Sequence, residues 1–303
     1  MKKDLLKLAD LSPQEIVEIL DLADKLKKEQ KQGIPHKILQ GKTLGMIFTK
    51  ASTRTRVSFE VGIYQLGGIA LYLNGNDIQL GRGEPIRDTA RVLSRYLDGI
   101  MIRTYKQRDV EELARFSTIP IINGLTDYCH PCQVLADLQT IREYKGDLKG
   151  LKLAYIGDGN NMANSLIVGC IKMGMKIAIA CPANYRPDAQ IIQWGKESGL
   201  LELTEEPKKA AANADVFYTD VWASMGQESE TALRKEAFAK YYIDAKLMKY
   251  AQKDAMVLHC LPAHREEEIT GEVFEEHRAE IFDEAENRLH AQKAVMVKLM
   301  CDK

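Results

Sequence analysis

The feature that most constrains this chain is a series of short, mostly apolar runs separated by helical patterns, and the series occurs twice. In the first half the runs are Leu44–Phe48, Ile69–Leu73, Ile100–Ile102 and Ile119–Ile122. A polar, glycine-bearing stretch, Lys145-Gly146-Asp147-Leu148-Lys149-Gly150, interrupts it. The series then resumes with Lys152–Ile156, Ile177–Cys181, Val216–Val221 and Met256–Leu261. Strands that are apolar along their length are buried on both faces, and a parallel sheet covered by helices on each side provides that burial. The pattern predicts an α/β chain of two doubly wound domains, each a mainly parallel sheet flanked by helices, joined by interdomain helices. The expected domains are residues 1–145 and 146–284, with a last helix over about 285–303 packing back on the first. Ligands of such sheets bind at the carboxyl ends of the strands, where strand order reverses. The informative motifs all fall at those ends.

Helix signals agree with this reading. Ser12-Pro13-Gln14-Glu15 places an N-cap serine, a proline at the first helical position and a capping-box glutamate. Ile16, Ile19, Leu20 and Ala23 then form an apolar stripe, so a helix is predicted from Ser12 to about Lys28. A second helix is predicted over Pro131–Tyr144.

Composition excludes several classes of partner. With 303 residues the chain can bury two cores, and a net charge of −1 offers no basic footprint for nucleic acid or an anionic membrane surface. No apolar run approaches the length of a bilayer span. Met1–Asp10 carries lysines but no apolar signal core, and six scattered cysteines make no disulfide framework. A cytoplasmic protein is expected, with no nucleic-acid and no membrane partner.

Three motifs carry chemistry. The first run leads into Thr49-Lys50-Ala51-Ser52-Thr53-Arg54-Thr55-Arg56-Val57-Ser58-Phe59-Glu60. Where a strand flows into a helix, the first-turn N–H groups and the helix dipole favour an anion. Ser52, Thr53 and Thr55 supply hydroxyls, and Arg54 supplies a planar fork that matches phosphate. The bland alternative is that Ser52 or Thr53 caps the helix while the arginines face water. A Walker loop is absent. The second motif, Cys129-His130-Pro131-Cys132-Gln133, also admits a zinc half-site or a redox pair, but no second pair of ligands accompanies it. The third, Gly157-Asp158-Gly159-Asn160-Asn161-Met162, opens like a dinucleotide site. That fingerprint needs a small residue where Met162 stands, and an acidic residue after the next strand, where the chain instead reaches Pro182.

Ser52-Thr53-Arg54-Thr55-Arg56-Val57-Ser58-Phe59-Glu60 resembles the carbamoyl-phosphate signature of the aspartate and ornithine transcarbamylases, and family features recur along nearly the whole chain. The resemblance implies that domain 1–145 binds carbamoyl phosphate and domain 146–284 binds the amino acid. It implies phosphate contacts from Ser52, Thr53, Arg54, Thr55, Arg103 and Arg288. The His130-Pro131-Cys132-Gln133 motif would meet the carbamoyl end, with His130 as an oxyanion donor. Cys260 and Leu261 join the carbamoyl-phosphate set, and Arg103, His130 and Cys260 are the implied catalytic residues. Gln79, in a glycine-bearing loop, would reach a neighbouring subunit's site, which makes the unit a homotrimer or an assembly of trimers.

The second substrate is read from the other half. Asn161 and Asp220 are implied to hold the α-carboxylate and α-amino group of ornithine, with Ser224 and Met225 on a closing loop. His259-Cys260-Leu261-Pro262 is similar to the family's ornithine branch. The aspartate branch places an arginine where this chain has Ala263. The implied activity is transfer of the carbamoyl group of carbamoyl phosphate to the δ-amino group of L-ornithine, giving L-citrulline and phosphate, with no metal and no cofactor. Transfer to putrescine, which lacks both α-groups, and a homologue that binds without turnover are the alternatives.

Overall fold

The computed structural model describes residues 2–78, 83–223 and 230–301. The chain forms two compact units, Met1–Gln139 with Asn287–Lys303, and Thr140–Glu286.

In the first unit α1 (Pro13–Lys31) is followed by β1 (Thr43–Phe48), α2 (Thr53–Gln65), β2 (Ile69–Asn74), α3 (Ile86–Leu93), β3 (Gly99–Arg103), α4 (Gln107–Phe116) and β4 (Ile121–Leu125). The α1 start is the expected capping box: the Glu15 N–H donates to Ser12 Oγ at 3.2 Å and the Ser12 N–H to Glu15 Oε2 at 2.8 Å. The four strands are parallel in the order β2-β1-β3-β4, so strand order reverses between β1 and β3. Phe48 and Arg103 pair in register there, which brings the ends of β1 and β3 side by side. Ile47, Ile100, Ile102 and Ile121 build the core with Ala90, Val110 and Leu113 from the covering helices.

The fourth strand begins at Ile121 and runs through Asn123 and Gly124, later than the expected Ile119–Ile122. Asn and Gly are poor strand formers on propensity. Here the N-terminal segment overrides it, because the Asn123 N–H donates to Leu5 O at 2.8 Å and its side chain to Leu6 O at 2.8 Å.

The division between the units falls within α5 (Pro131–Lys145) and within the last helix, α12 (Arg278–Met300). The second unit contains β5 (Lys152–Ile156), α6 (Asn161–Lys172), β6 (Lys176–Ala180), α7 (Ala189–Glu197), β7 (Leu201–Thr204) and α8 (Pro207–Ala211). It continues through β8 (Val216–Thr219), α9 (Thr231–Phe238), α10 (Ala245–Met248), β9 (Met256–His259) and α11 (Gly271–Glu276). Its five parallel strands run β7-β6-β5-β8-β9, with the reversal between β5 and β8. Ala154, Ile156, Phe217, Phe238, Val257 and Ile281 lie in its core.

Four further elements differ from the sequence reading. The half-buried edge strand β7 was not anticipated, since an edge strand pairs on one side only and needs no continuous apolar run. Strands β8 and β9 stop at Thr219 and His259, short of Val221 and Leu261, so Asp220 and Cys260 leave the ladder and turn outward from it. Helix α12 starts at Arg278 rather than near 285, and its end packs on the first unit, where Met300 lies so close to Gly99 that a Cβ there would sit 2.9 Å from the sulfur.

Candidate active site

In the first unit the chain leaves β1 through Thr49 and Lys50 and enters α2 at Ser52. Ser52 is the N-cap, its hydroxyl accepting from the Thr55 N–H at 3.2 Å. Thr49 ties this turn to the end of β3, its N–H donating to Arg103 O at 3.0 Å and its hydroxyl to Thr104 Oγ1 at 2.9 Å. Thr55 Oγ1 is the hub: Ser52 Oγ donates to it at 3.1 Å, Arg103 at 3.4 Å and Arg288 at 3.3 Å. Arg288 also donates to Gln133 Oε1 at 2.5 Å, and Gln133 donates on to Asp137 at 2.9 Å. Gln292, its amide oriented by surrounding donors, braces Arg288 at 2.9 Å and reaches Ser58 Oγ at 2.6 Å.

Two guanidinium groups, Arg103 and Arg288, are thus buried around one hydroxyl, while Arg54 and Thr53 stand exposed in the first turn of α2. Burial, then the positive charges of Arg288, Arg103, Lys50 and Arg54, hold the His130 imidazole well below its usual range. His130 is therefore neutral at physiological pH. Such an arrangement suits a small dianion whose neighbouring atom needs an uncharged hydrogen-bond donor.

In the second unit the ends of β5, β8 and β9 meet. Asn160 caps α6, its Oδ1 accepting from the Met162 N–H at 2.9 Å and the Ala163 N–H at 3.3 Å. Its amide donates to Asp220 Oδ2 at 2.8 Å. Asp220 Oδ1 accepts from the Val221 N–H at 2.8 Å and from the Cys260 thiol at 3.1 Å. Gly159 permits the turn before α6, since a Cβ there would overlap the backbone of Arg186 and Pro187. Beside it, Asp158 pairs with Arg234 at 2.8 Å, and Arg234 also donates to Trp222 O at 2.9 Å and Glu230 at 3.0 Å. Burial pushes the Asp158 carboxyl up, to about 6, against the pull of Arg234.

Comparison with known proteins agrees with this geometry on each half. Residues 3–143 match the aspartate/ornithine carbamoyltransferase carbamoyl-P binding domain, and residues 149–299 match the Asp/Orn binding domain of the same family. The chain belongs to the aspartate/ornithine carbamoyltransferase family. Ornithine carbamoyltransferase of Carboxydothermus hydrogenoformans is 55% identical over 98% of this chain and 97% of that protein. The solved ornithine carbamoyltransferase of Pyrococcus furiosus superposes with a TM-score of 0.94 at 53% identity, covering 99% of this chain and 97% of that one. The anabolic enzyme of Campylobacter jejuni superposes with a TM-score of 0.93 at 44% identity, covering 98% of each chain.

Within this carbamoyltransferase framework the structure gathers Ser52, Thr55, Arg103, Gln133 and Arg288 through direct bonds, and His130 through its field. Pro131 opens α5, and Cys132 is buried with its thiol toward Asn123 O at 3.5 Å. Asn161 is the first residue of α6, and Leu261 is held by the His259 ring at 2.9 Å. Cys260 stands on Asp220, among the implied amino-acid contacts. Gln79, Ser224 and Met225 lie outside the described residues.

Burial pushes the thiols of Cys129 and Cys132 up to about 12, which disfavours a reactive thiolate at either position. Among the described residues one other cluster, His264, Glu267 and Glu268, brings potential ligand atoms within 4.8 Å of one another. Protein partners already engage both carboxylates: Lys235 at 2.6 Å from Glu267, and His259 at 3.0 Å from Glu268.

Lys50, Asn160, Arg234 and Gln292 were missed by the sequence reading. Asn160 alone had a readable signal, an asparagine directly before an apolar helix.

The His130 environment sets a pH dependence. In the unfolded chain its imidazole takes up a proton near pH 6.5, whereas the folded form resists it. The unfolded state therefore binds more protons below that pH, and stability falls as pH drops through it, by up to about 1.4 kcal/mol per pH unit. Melting of the wild type and His130→Asn between pH 5 and 7.5 reads this directly: the variant should lose less stability toward acid. An equal slope in both would refute the neutrality that burial and the neighbouring charges impose on His130.

Proposed function

We propose that this chain transfers the carbamoyl group of carbamoyl phosphate to the δ-amine of L-ornithine by way of the residues described above. The observation that carries the choice of amino acid is Asp220, a buried carboxylate at the end of β8 beside Asn160 and Cys260. A carboxylate there suits an α-ammonium group. Ala263 supplies none of the positive charge that the side chain of aspartate would require. In this reading the α2 turn with Arg54, Arg103 and Arg288 binds the phosphate, and Asn161 donates to the α-carboxylate of ornithine.

Attack of the neutral δ-amine on the carbonyl carbon forms a C–N bond and places negative charge on the carbonyl oxygen, which Arg103 and His130 stabilise. Collapse breaks the C–O bond to phosphate, and the proton released by the amine ends on the departing phosphate. An amine of lysine-like pKa is neutral in only about one molecule in 2,500 at pH 7. Holding both reactants in position lowers the barrier by roughly 7–11 kcal/mol in favourable cases.

The working unit is a homotrimer or an assembly of trimers in the cytoplasm. Support for association comes from the outer side of α2 and the edge strand β2, where Val57, Tyr64, Ile69, Leu71 and Tyr72 are exposed. All six cysteines are free thiols, in keeping with a reducing compartment. No helix among the described residues is long and apolar enough to cross a membrane.

The deciding assay offers ornithine, putrescine and aspartate side by side with carbamoyl phosphate. Ornithine should yield citrulline fastest, and preferential use of putrescine would overturn the assignment while leaving carbamoyl transfer intact. Sedimentation of the same preparation should return a multiple of three chains of 34.1 kDa.

A further inference from the structure

The turn that carries Cys260 and Leu261 is held from beneath by two buried carboxylates. The His259 N–H donates to Glu284 Oε2 at 2.8 Å, and Glu284 Oε1 accepts from the Tyr218 hydroxyl at 3.0 Å. The His259 ring is gripped at both nitrogens: Nδ1 accepts from the Leu261 N–H at 2.9 Å, and Nε2 lies 3.0 Å from Glu268 Oε1. Glu268 Oε1 also accepts from the His264 N–H at 2.6 Å. His259 is 1% exposed and Glu268 is fully buried, so water does not substitute for these bonds.

The geometry permits one form of the ring. A backbone N–H faces Nδ1, so Nδ1 carries the lone pair and the proton sits on Nε2, donated to Glu268. The opposite tautomer, or a doubly protonated ring, would set two donors against each other at Leu261. That residue is also a non-glycine in the left-handed region, at φ +56°, a strained conformation that persists only where surrounding bonds impose it.

We propose that Glu268 is a positioning residue for carbamoyl transfer. It fixes His259 as the Nε2–H tautomer, and His259 fixes the Leu261 backbone and, through it, the placement of Cys260 against Asp220. The inference rests on the functional reading above, in which Cys260, Leu261 and Asp220 meet the reactants. It assigns Glu268 reach rather than charge: the side chain has to span to the ring and accept, and it touches no substrate.

Reach and charge are separated by two substitutions. Glu268→Gln keeps the length and an acceptor oxygen, so kcat should stay within about threefold of wild type. Glu268→Asp keeps the charge but is shorter by one methylene, which breaks the contact to Nε2. Its kcat should fall by at least about tenfold, the consequence of leaving a buried donor unsatisfied. Calorimetric affinity for carbamoyl phosphate should stay within a few-fold of wild type in both variants, since the arginines proposed to bind its phosphate, Arg54, Arg103 and Arg288, belong to the first unit. Nitrogen-15 spectra of the His259 ring should show the Nε2–H tautomer in wild type and Glu268→Gln, and a mixture in Glu268→Asp. An active Glu268→Asp beside an inactive Glu268→Gln would overturn the proposal in favour of a charge role. An unchanged kcat in Glu268→Asp with a mixed tautomer would overturn it too. Failure of the wild type to make citrulline at all would strike the functional reading instead, while the tautomer measurement would still report on the turn.

Discussion

Arg54→Ala should abolish nearly all citrulline formation while leaving the protein folded. Arg54 is exposed in the first turn of α2, so its removal opens no cavity in the core. The same exposure leaves its guanidinium accessible to a dianion beside the N–H groups of that turn. Each charge-assisted hydrogen bond is worth roughly 1.5–3 kcal/mol. Loss of two of them lowers kcat/KM by about 10²–10⁴. The purified variant should show a wild-type melting curve, weakened carbamoyl-phosphate binding and little turnover. Normal turnover with normal affinity would remove the α2 turn from the active site and undo the functional reading with it.

Asp220→Asn should produce the second large effect, and it should be selective for one substrate. Both carboxylate oxygens are in use, Oδ1 by Val221 and Cys260 and Oδ2 by Asn160. An amide in this place must aim its NH₂ at one of those donors, whichever way it turns, and it also removes the charge that would meet an α-ammonium. Exchange of a charged partner for a clash costs about 3 kcal/mol or more, so kcat/KM for ornithine should fall by at least about a hundredfold. Direct titration of carbamoyl phosphate should be nearly unchanged, because the arginines proposed to bind its phosphate, Arg54, Arg103 and Arg288, belong to the first unit. Putrescine has neither α-group, so it should be a poor substrate for the wild type and lose little further. A parallel collapse of carbamoyl-phosphate affinity would show that Asp220 supports the fold of the site as a whole rather than ornithine.

Much of the α/β architecture could be read in advance, for reasons visible in particular elements. β1, β3, β5 and β6 are short and apolar enough to announce two-sided burial, and each lies within one or two residues of its expected place. The α1 cap was legible because Ser12 and Glu15 bond to each other, three residues apart. What escaped was decided from a distance. Asn123 and Gly124 extend β4 only because Leu5 and Leu6 lie alongside, and β7 is a strand only because β6 offers it an edge.

The same division runs through the site. His130 and Asp220 were nominated by family resemblance, whereas local sequence was sufficient to nominate Ser52 and Arg54, since a strand end running into a capped helix is a signal contained in a few residues. It could not say that Arg288 would bond Gln133, 155 positions away, or Thr55, 233 positions away. Nor could it say that His130 would be neutral, or that His259 would be one tautomer. Protonation and tautomer are set by burial and by charges and donors that other segments contribute. Those quantities exist only once the chain has folded. The sequence by itself determined the alternation of buried strands with helices and the chemical groups placed at the strand ends. The tertiary structure decided which of those groups converge and what charge each one carries.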